Sequence, residues 1–171
     1  MGTKWYNQDG LTIRYGPRAL NDDEDVAFQT STAGSVQEIV IRVEDATLLA
    51  DDTGVAYAAG EFVNAAKIPA GAFILSAEIS VEEDVTGTAT DDVLVGAYTV
   101  SASTGLLVVE SIDGFIDAGD GDVSVLLDGV TIAGTGGLVG SVVVGDVVVV
   151  AVQAGTALTA GKFSVRVEYR V

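Results

Sequence analysis

Neither cysteine nor histidine occurs anywhere in the 171 residues. The first absence excludes disulfides and thiolate nucleophiles. The second removes the commonest general base and the commonest metal ligand. Proline occurs twice and tryptophan once, and aromatics make up 6% of the chain. That leaves no proline-rich linker and little material for the stacking platforms on which sugar rings sit. Positive charge is also scarce, with eight Lys and Arg against 25 Asp and Glu and a net charge of −17. A body of that sign repels nucleic-acid phosphates and anionic membrane surfaces, so neither nucleic acid nor membrane is expected as a partner. No apolar run is long enough to span a bilayer. The most apolar window, LVGSVVVGDVVVVAV at 138–152, is short, contains Asp146 and is dominated by β-branched valine. The N-terminus lacks an apolar signal-peptide core. Met1-Gly2 begins a myristoylation pattern, but Tyr6 stands where Ser or Thr is required.

What is present is a period of two. In KFSVRVEYRV (162–171), Phe163, Val165, Val167, Tyr169 and Val171 take one face, and Lys162, Ser164, Arg166, Glu168 and Arg170 the other. That is a half-buried strand. FILSAEISVE (73–82) repeats the pattern, with Phe73, Leu75, Ala77, Ile79 and Val81 inward and Ile74 as the one apolar residue on the outer face. Shorter strands are expected at 11–15, 36–43, 61–68, 93–99, 105–109 and 123–127. The run V147-V-V-V-A-V152 has no polar alternation, so both its faces must be covered, by core or by a subunit contact. VESIDGFI (109–116) is compatible with a short helix, and Ala46–Ala50 with a single turn.

The segments TGTATDD (86–92), DAGDGD (117–122), AGTGG (133–137) and AGTALTAGK (154–162) read as turns or loops. The last is expected as a hairpin connection between strands 147–153 and 162–171. The fold class that follows is all-β: an antiparallel β-sandwich of jelly-roll type with about eight strands and an extended N-terminal arm. Residues 1–34, ending in the loop NDDEDVAFQTSTAG, read as arm and loop, and 35–171 as a single β-sandwich domain. No internal repeat of solenoid length is present.

Chemistry-bearing patterns fail one by one. Carboxylate pairs occur at Asp22–Asp25, Glu82–Asp84 and Asp91–Asp92, but adjacent acids in turns are ordinarily solvated surface. DAGDGD misses the EF-hand pattern in both registers: from Asp120 it has Ser124 at position five and Thr131 at twelve, and from Asp117 it has glycines at three and five. A looser calcium site in that loop stays open. AGTALTAGK is not a phosphate loop, because Thr156 replaces the first glycine, Phe163 replaces Ser or Thr, and a strand follows. No enzyme activity, no metal and no cofactor is expected.

One local anomaly remains. Lys4 to Arg18 holds the only tryptophan, two of five tyrosines and three of eight basic residues. Residues 1–18 carry +2, residues 19–161 carry −21, and residues 162–171 carry +2. Trp, Tyr and Arg anchor interfaces, because they give a large contact area with few torsions. Lys4, Trp5, Tyr6, Arg14, Tyr15 and Arg18 are therefore the candidate partner-binding residues. The competing reading is that the aromatics cover the end of their own sandwich.

Three stretches resemble a known family. IPAGAFILSAEISVEEDVTGTATDDVLVGAYT (68–99) is similar to a strand–turn–strand segment recurrent in tailed-phage virion proteins. AGTALTAGKFSVRVEYRV (154–171) resembles the closing segment of the same proteins, and KWYNQDGLTIRYG resembles the start of small proteins encoded among phage head genes. The resemblance is to capsid decoration (cement, head-stabilising) proteins of tailed bacteriophages, with a jelly-roll-like β-sandwich. It implies a structural virion protein on the outer surface of the head, a homotrimer bound to the major capsid protein, with no catalytic residues. By position, Lys4–Gly16 would be the arm that contacts the major capsid protein or a neighbouring copy. The alternatives are a receptor-binding or fibre-tip β-sandwich of a virion, using loops 86–92, 117–122 and 133–137, and a carbohydrate-binding module.

Overall fold

The computed structural model describes residues 5–6, 12–15, 28–31, 36–51, 66–103 and 106–171. Among these residues the chain is all-β, with one turn of 3-10 helix. The strands are β1 (Trp5–Tyr6), β2 (Thr12–Tyr15), β3 (Phe28–Ser31), β4 (Gln37–Val43), β5 (Ala50–Asp51), β6 (Ala66–Ile68), β7 (Phe73–Thr86), β8 (Asp92–Val100), β9 (Leu107–Ile116), β10 (Thr131–Ala133), β11 (Val147–Ala154) and β12 (Ala160–Arg170). The larger sheet runs β1-β2-β3-β4-β12-β7-β10. The smaller runs β5-β11-β8-β9, with β6 also paired to β11.

The pairing explains the architecture. The antiparallel pairs β4·β12, β6·β11, β7·β10 and β8·β9 are those of one long hairpin folded at the β8–β9 turn. The further pairs β12·β7 and β11·β8 roll that hairpin up into two facing sheets. That winding is a jelly roll, and its eight strands match the expected number. β5 is a short parallel addition on the open side of β11. β1, β2 and β3 continue the larger sheet outward from β4.

The core lies between the sheets and follows the period of two. Ile39, Ile41 and Val43 of β4 meet Phe163, Val165, Val167 and Tyr169 of β12, all buried. Val93, Val95 and Ala97 of β8 and Val147, Val149 and Ala151 of β11 close it from the other sheet. Each Val, Ile or Phe among them contributes about 1.5–3 kcal/mol through burial, and each Ala less. The valine-rich run is core on both faces. Val150 and Val152 join Leu94, Tyr98 and Leu107 in a second buried cluster on the far side of the smaller sheet.

Several local expectations are corrected. Ile74 points inward and Phe73 is only half-buried, because Leu75 is an extra residue: Glu168 pairs with Ser76 but Tyr169 with Ile74. A bulge of this kind reverses the alternation. Val171, placed inward by the same period, is 64% exposed beyond the end of β12. The stretch 109–116 is strand, not helix. Its helix-like spacing arises because β9 changes faces, with Val109 and Ile112 packing in the outer cluster and Phe115 and Ile116 in the main core.

Residues 123–127 form no strand. Val125 N–H donates to the Asp122 carbonyl and Val130 N–H to the Leu127 carbonyl, so the segment coils and buries Val123 and Leu126 in the core while Val125 and Leu127 stay exposed. The segment 154–162 is not a hairpin, because β11 and β12 lie in different sheets. Part of the expected loop 21–34 is strand β3. The single turn after β4 is present as a 3-10 helix at Ala46–Leu48, capped by Asp45, whose carboxylate accepts from Thr47 N–H at 2.9 Å.

Candidate interaction surfaces

The candidate residues near the N-terminus fall on two paired strands. Trp5 stands opposite Ile13 and Tyr6 opposite Thr12. Arg14 stands opposite Gln29 and Tyr15 opposite Phe28. Lys4 and Arg18 lie outside the described residues, as do Asp22 and Asp25. Backbone pairing thus brings Trp5, Tyr6, Arg14 and Tyr15 into one β-ribbon hydrogen-bonded to β4 through β3.

The outer face of the larger sheet carries most of the described cations, because the outward positions of β12 are Lys162, Ser164, Arg166, Glu168 and Arg170. Arg166 reaches Glu38 of β4 at 3.3 Å and Glu78 of β7 at 3.5 Å. Arg42 lies 3.8 Å from Glu44 and 4.0 Å from Glu82. Lys162 meets Glu83 at 2.7 Å, and that bond and charge raise the pKa of its ammonium. These half-exposed pairs align neighbouring strands and add little each, because solvent screens them. Glu82 and Asp84, one of the carboxylate pairs, sit on this exposed, bulged stretch of β7 and line no cleft.

At one end of the roll the structure brings three separate loops together. Asp92 forms an antiparallel bridge with Asp122, and Val93 N–H donates to the Gly121 carbonyl at 2.8 Å. A Cβ on Gly121 would run into the Val93 carbonyl oxygen, so only glycine permits this approach. Thr135 joins the third loop: its N–H donates to Asp120 at 2.6 Å, and its hydroxyl lies 2.9 Å from Asp120 and 3.1 Å from Asp117. Loops 86–92, 117–122 and 133–137 therefore share one surface.

Asp91 is the keystone of that end and is fully buried. Its carboxylate accepts from Thr88 N–H, from the Thr88 hydroxyl at 2.9 Å and from Thr156 N–H at 2.6 Å, tying the β7–β8 loop to the β11–β12 loop. Burial pushes its pKa up, but the Thr88 and Thr156 amides outweigh burial and hold it below the ordinary carboxylate range. Asp92 is shifted the other way, raised by burial and then by the charges of Asp122 and Asp91. In DAGDGD, Asp117 accepts from Gly119 N–H at 2.9 Å and Asp120 N–H at 3.1 Å. Asp122 accepts from Ser124 N–H at 2.7 Å. The carboxylates thus serve the backbone, and among the described residues no three acidic side chains converge as a metal site. Of the aromatic side chains described, Tyr98, Phe115, Phe163 and Tyr169 are fully buried and Phe73 is half-buried, so none makes an open stacking platform.

Sequence reasoning missed both the Asp91 keystone and the convergence of the loops. An Asp-Asp pair after TGTAT reads as a solvated turn; Thr88 is a local partner, but Thr156 and Asp122 lie 65 and about 30 residues away, beyond any local signal. No protein-family model matches the chain, and no curated protein matches it. Among solved structures it is similar to the cyanophage Pam1 capsid asymmetric unit, at 18% identity over 91% of this chain and 99% of that one, with a TM-score of 0.41.

Proposed function

We propose that this chain is a structural protein of a bacteriophage virion: a decoration protein that binds the outer surface of the head, as a trimer, and stabilises contacts between capsomers of the major capsid protein. It works by contact, not turnover. The observation that carries the reading is topological. The roll closes with β4 and β6 to β12, so the ribbon holding Trp5, Tyr6, Arg14 and Tyr15 is additional to it. A segment not needed to close the core is available to a neighbour, and its residue types are those that anchor interfaces. The three stretches that resemble decoration proteins support the same reading. They fall on this ribbon, on β6 to β8, and on β12 with the loop before it. Binding to the assembled shell and not to free capsomers stabilises the shell by mass action, and many copies multiply the effect.

The test is reconstitution on heads that lack the protein. Binding should saturate in multiples of three at each local axis and raise the temperature at which heads break. A chain lacking residues 1–18 should keep its circular dichroism and bind at least about tenfold more weakly, the loss of one or two anchors. Heads that break at the same temperature with and without the protein refute the stabilising role. A truncated chain that does not fold places the ribbon in the core instead.

The convergence of the three loops favours a second reading, a receptor-binding or fibre-tip domain that presents this surface to a host. Copy number separates the two: hundreds of copies per particle fit decoration, and a few tens fit a fibre.

A further inference from the structure

The strongest unexplained feature lies at the opposite end of the roll, where β12 ends and β7 begins. In the segment Val142–Val144, only Val143 is buried; Val142 is 54% and Val144 91% exposed. This is not a loose tip. Val143 N–H donates to Ala72 at 2.9 Å, Gly71 N–H to Val143 at 2.8 Å and Ile74 N–H to Ser141 at 2.9 Å, so extended backbone fixes the two outer valines toward solvent. Val142 stands opposite Phe73, and Phe73 opposite Arg170. One residue beyond the Gln37–Tyr169 pair, Val36 flanks Arg170 on the other side and is 52% exposed. Val36, Arg170, Phe73 and Val142 therefore form one row across three strands and the docked loop, with Val144 and Val171 at its rim. Apolar surface thus stands on both sides of the Arg170 guanidinium.

The charges on this row differ from those elsewhere. Arg42, Lys67, Lys162 and Arg166 each have a carboxylate within 4.0 Å. Among the described residues Arg170 has none; its guanidinium lies 6.0 Å from the Phe73 ring. Glu168, two residues earlier on the same face, accepts only the Ser76 hydroxyl at 3.1 Å and has no described cation. The row thus offers one unpaired charge of each sign beside exposed valines, a self-complementary set. The far end of the roll is rich in acid, with Asp45, Asp84, Asp91, Asp92, Asp122 and Asp128 around the cation Lys162. The two ends are separated by the 14 residues of β7, roughly 40 Å and several screening lengths at physiological salt. For a chain of net charge −17, contact through this row keeps the far-end aspartates of two copies apart, and Asp146, two residues beyond Val144, is paired with Lys67 at 2.6 Å.

We propose that the Val36–Arg170–Phe73–Val142 row, with Val144 and Val171, is the surface on which a second copy of this chain docks, Arg170 of one copy pairing with Glu168 of the next. The inference rests on the self-association in the proposed function, but its readout needs no capsid. Sedimentation velocity of the full chain over a dilution series should give the mass of two or three copies. Val142→Asp with Val144→Asp should weaken association at least about tenfold with an unchanged thermal melt, since both side chains are exposed. Arg170→Glu alone should also weaken it, and Glu168→Arg combined with Arg170→Glu should restore it. A wild-type chain that sediments as a single copy throughout overturns the proposal, as does an aspartate variant with unaltered mass. Failure of the charge swap to restore association overturns the cross-copy pair. A single-copy chain that still binds heads, but loses them on the aspartate substitutions, assigns the row to the capsid instead. A chain that associates but never binds heads leaves this inference standing and removes the decoration role.

Discussion

At the scale of the residue, the two neighbouring carboxylates Asp91 and Asp92 act in opposite senses. The Asp91 pKa lies below the ordinary range, so its ionised form contributes stability above about pH 4, and that contribution is lost as pH falls through the lower folded value. Asp91→Asn keeps the shape but sets an amide NH2 against the Thr88 or Thr156 N–H. It should lower the melting temperature at pH 7 by roughly 5 °C or more and flatten the acid limb of the stability curve. Asp92 has a raised pKa, so its contribution is fully present below about pH 4 and is lost as pH rises through the folded value. Asp92→Asn should therefore raise the melting temperature at pH 7 and change little near pH 3. Scanning calorimetry of both variants across pH checks the pair; a fall in both at neutral pH refutes the like-charge account of Asp92.

At the scale of the element, β9 is the strand most shaped by its surroundings. Two steps along β8, from Val95 to Ala97, are matched by five along β9, from Ile116 to Ser111. The wide bulge presses the carbonyls of Ser111 and Ile112 onto Gly96, where a Cβ would lie 2.5 Å from the Ser111 oxygen. Gly96→Ala should cost about 1–3 kcal/mol by overpacking, measured by urea unfolding. A neutral result would mean that the bulge shifts freely. The same bulge explains why 109–116 reads as a helix: a strand that changes faces spaces its apolar residues three and four apart. β4 and β12 have no such bulge between them, and alternation gives the inward face of β12 up to Tyr169, failing only at Val171 beyond the strand end. β7 was legible from Ala77 to Val81 but not at Phe73, Ile74 and Leu75, where the inserted Leu75 breaks the period.

At the scale of the whole molecule, aspartates crowd one end of the roll. The described cations are largely matched to glutamates on one sheet face, and of them only Lys162 acts on the far end, so the aspartates there repel one another with little compensation. Raising ionic strength from a dilute buffer to physiological salt should therefore raise the melting temperature, because screening weakens this repulsion more than it weakens the few surface pairs. Melts in NaCl at pH 7 test this. A falling melting temperature would make the ion pairs of the larger sheet the dominant electrostatic contribution.

The sequence by itself determined the all-β class, the inward faces of β12 and of most of β7, and the exceptional character of residues 4–18. Each is set by neighbours within a few positions: a period of two, the absence of His and Cys, and local charge. Only the tertiary structure decided that 154–162 crosses between sheets, that Leu126 plugs the core from a loop, that Asp91 ties two loops together, and that Val36, Arg170, Phe73 and Val142 line up. These depend on contacts between residues tens of positions apart, and strand order is fixed by how one long hairpin rolls up, which no local pattern encodes. The segment KWYNQDGLTIRYG stands between the two cases. Its residue types mark it for contact, and the sheet order leaves it additional to the eight-strand roll, because that roll already closes at β4.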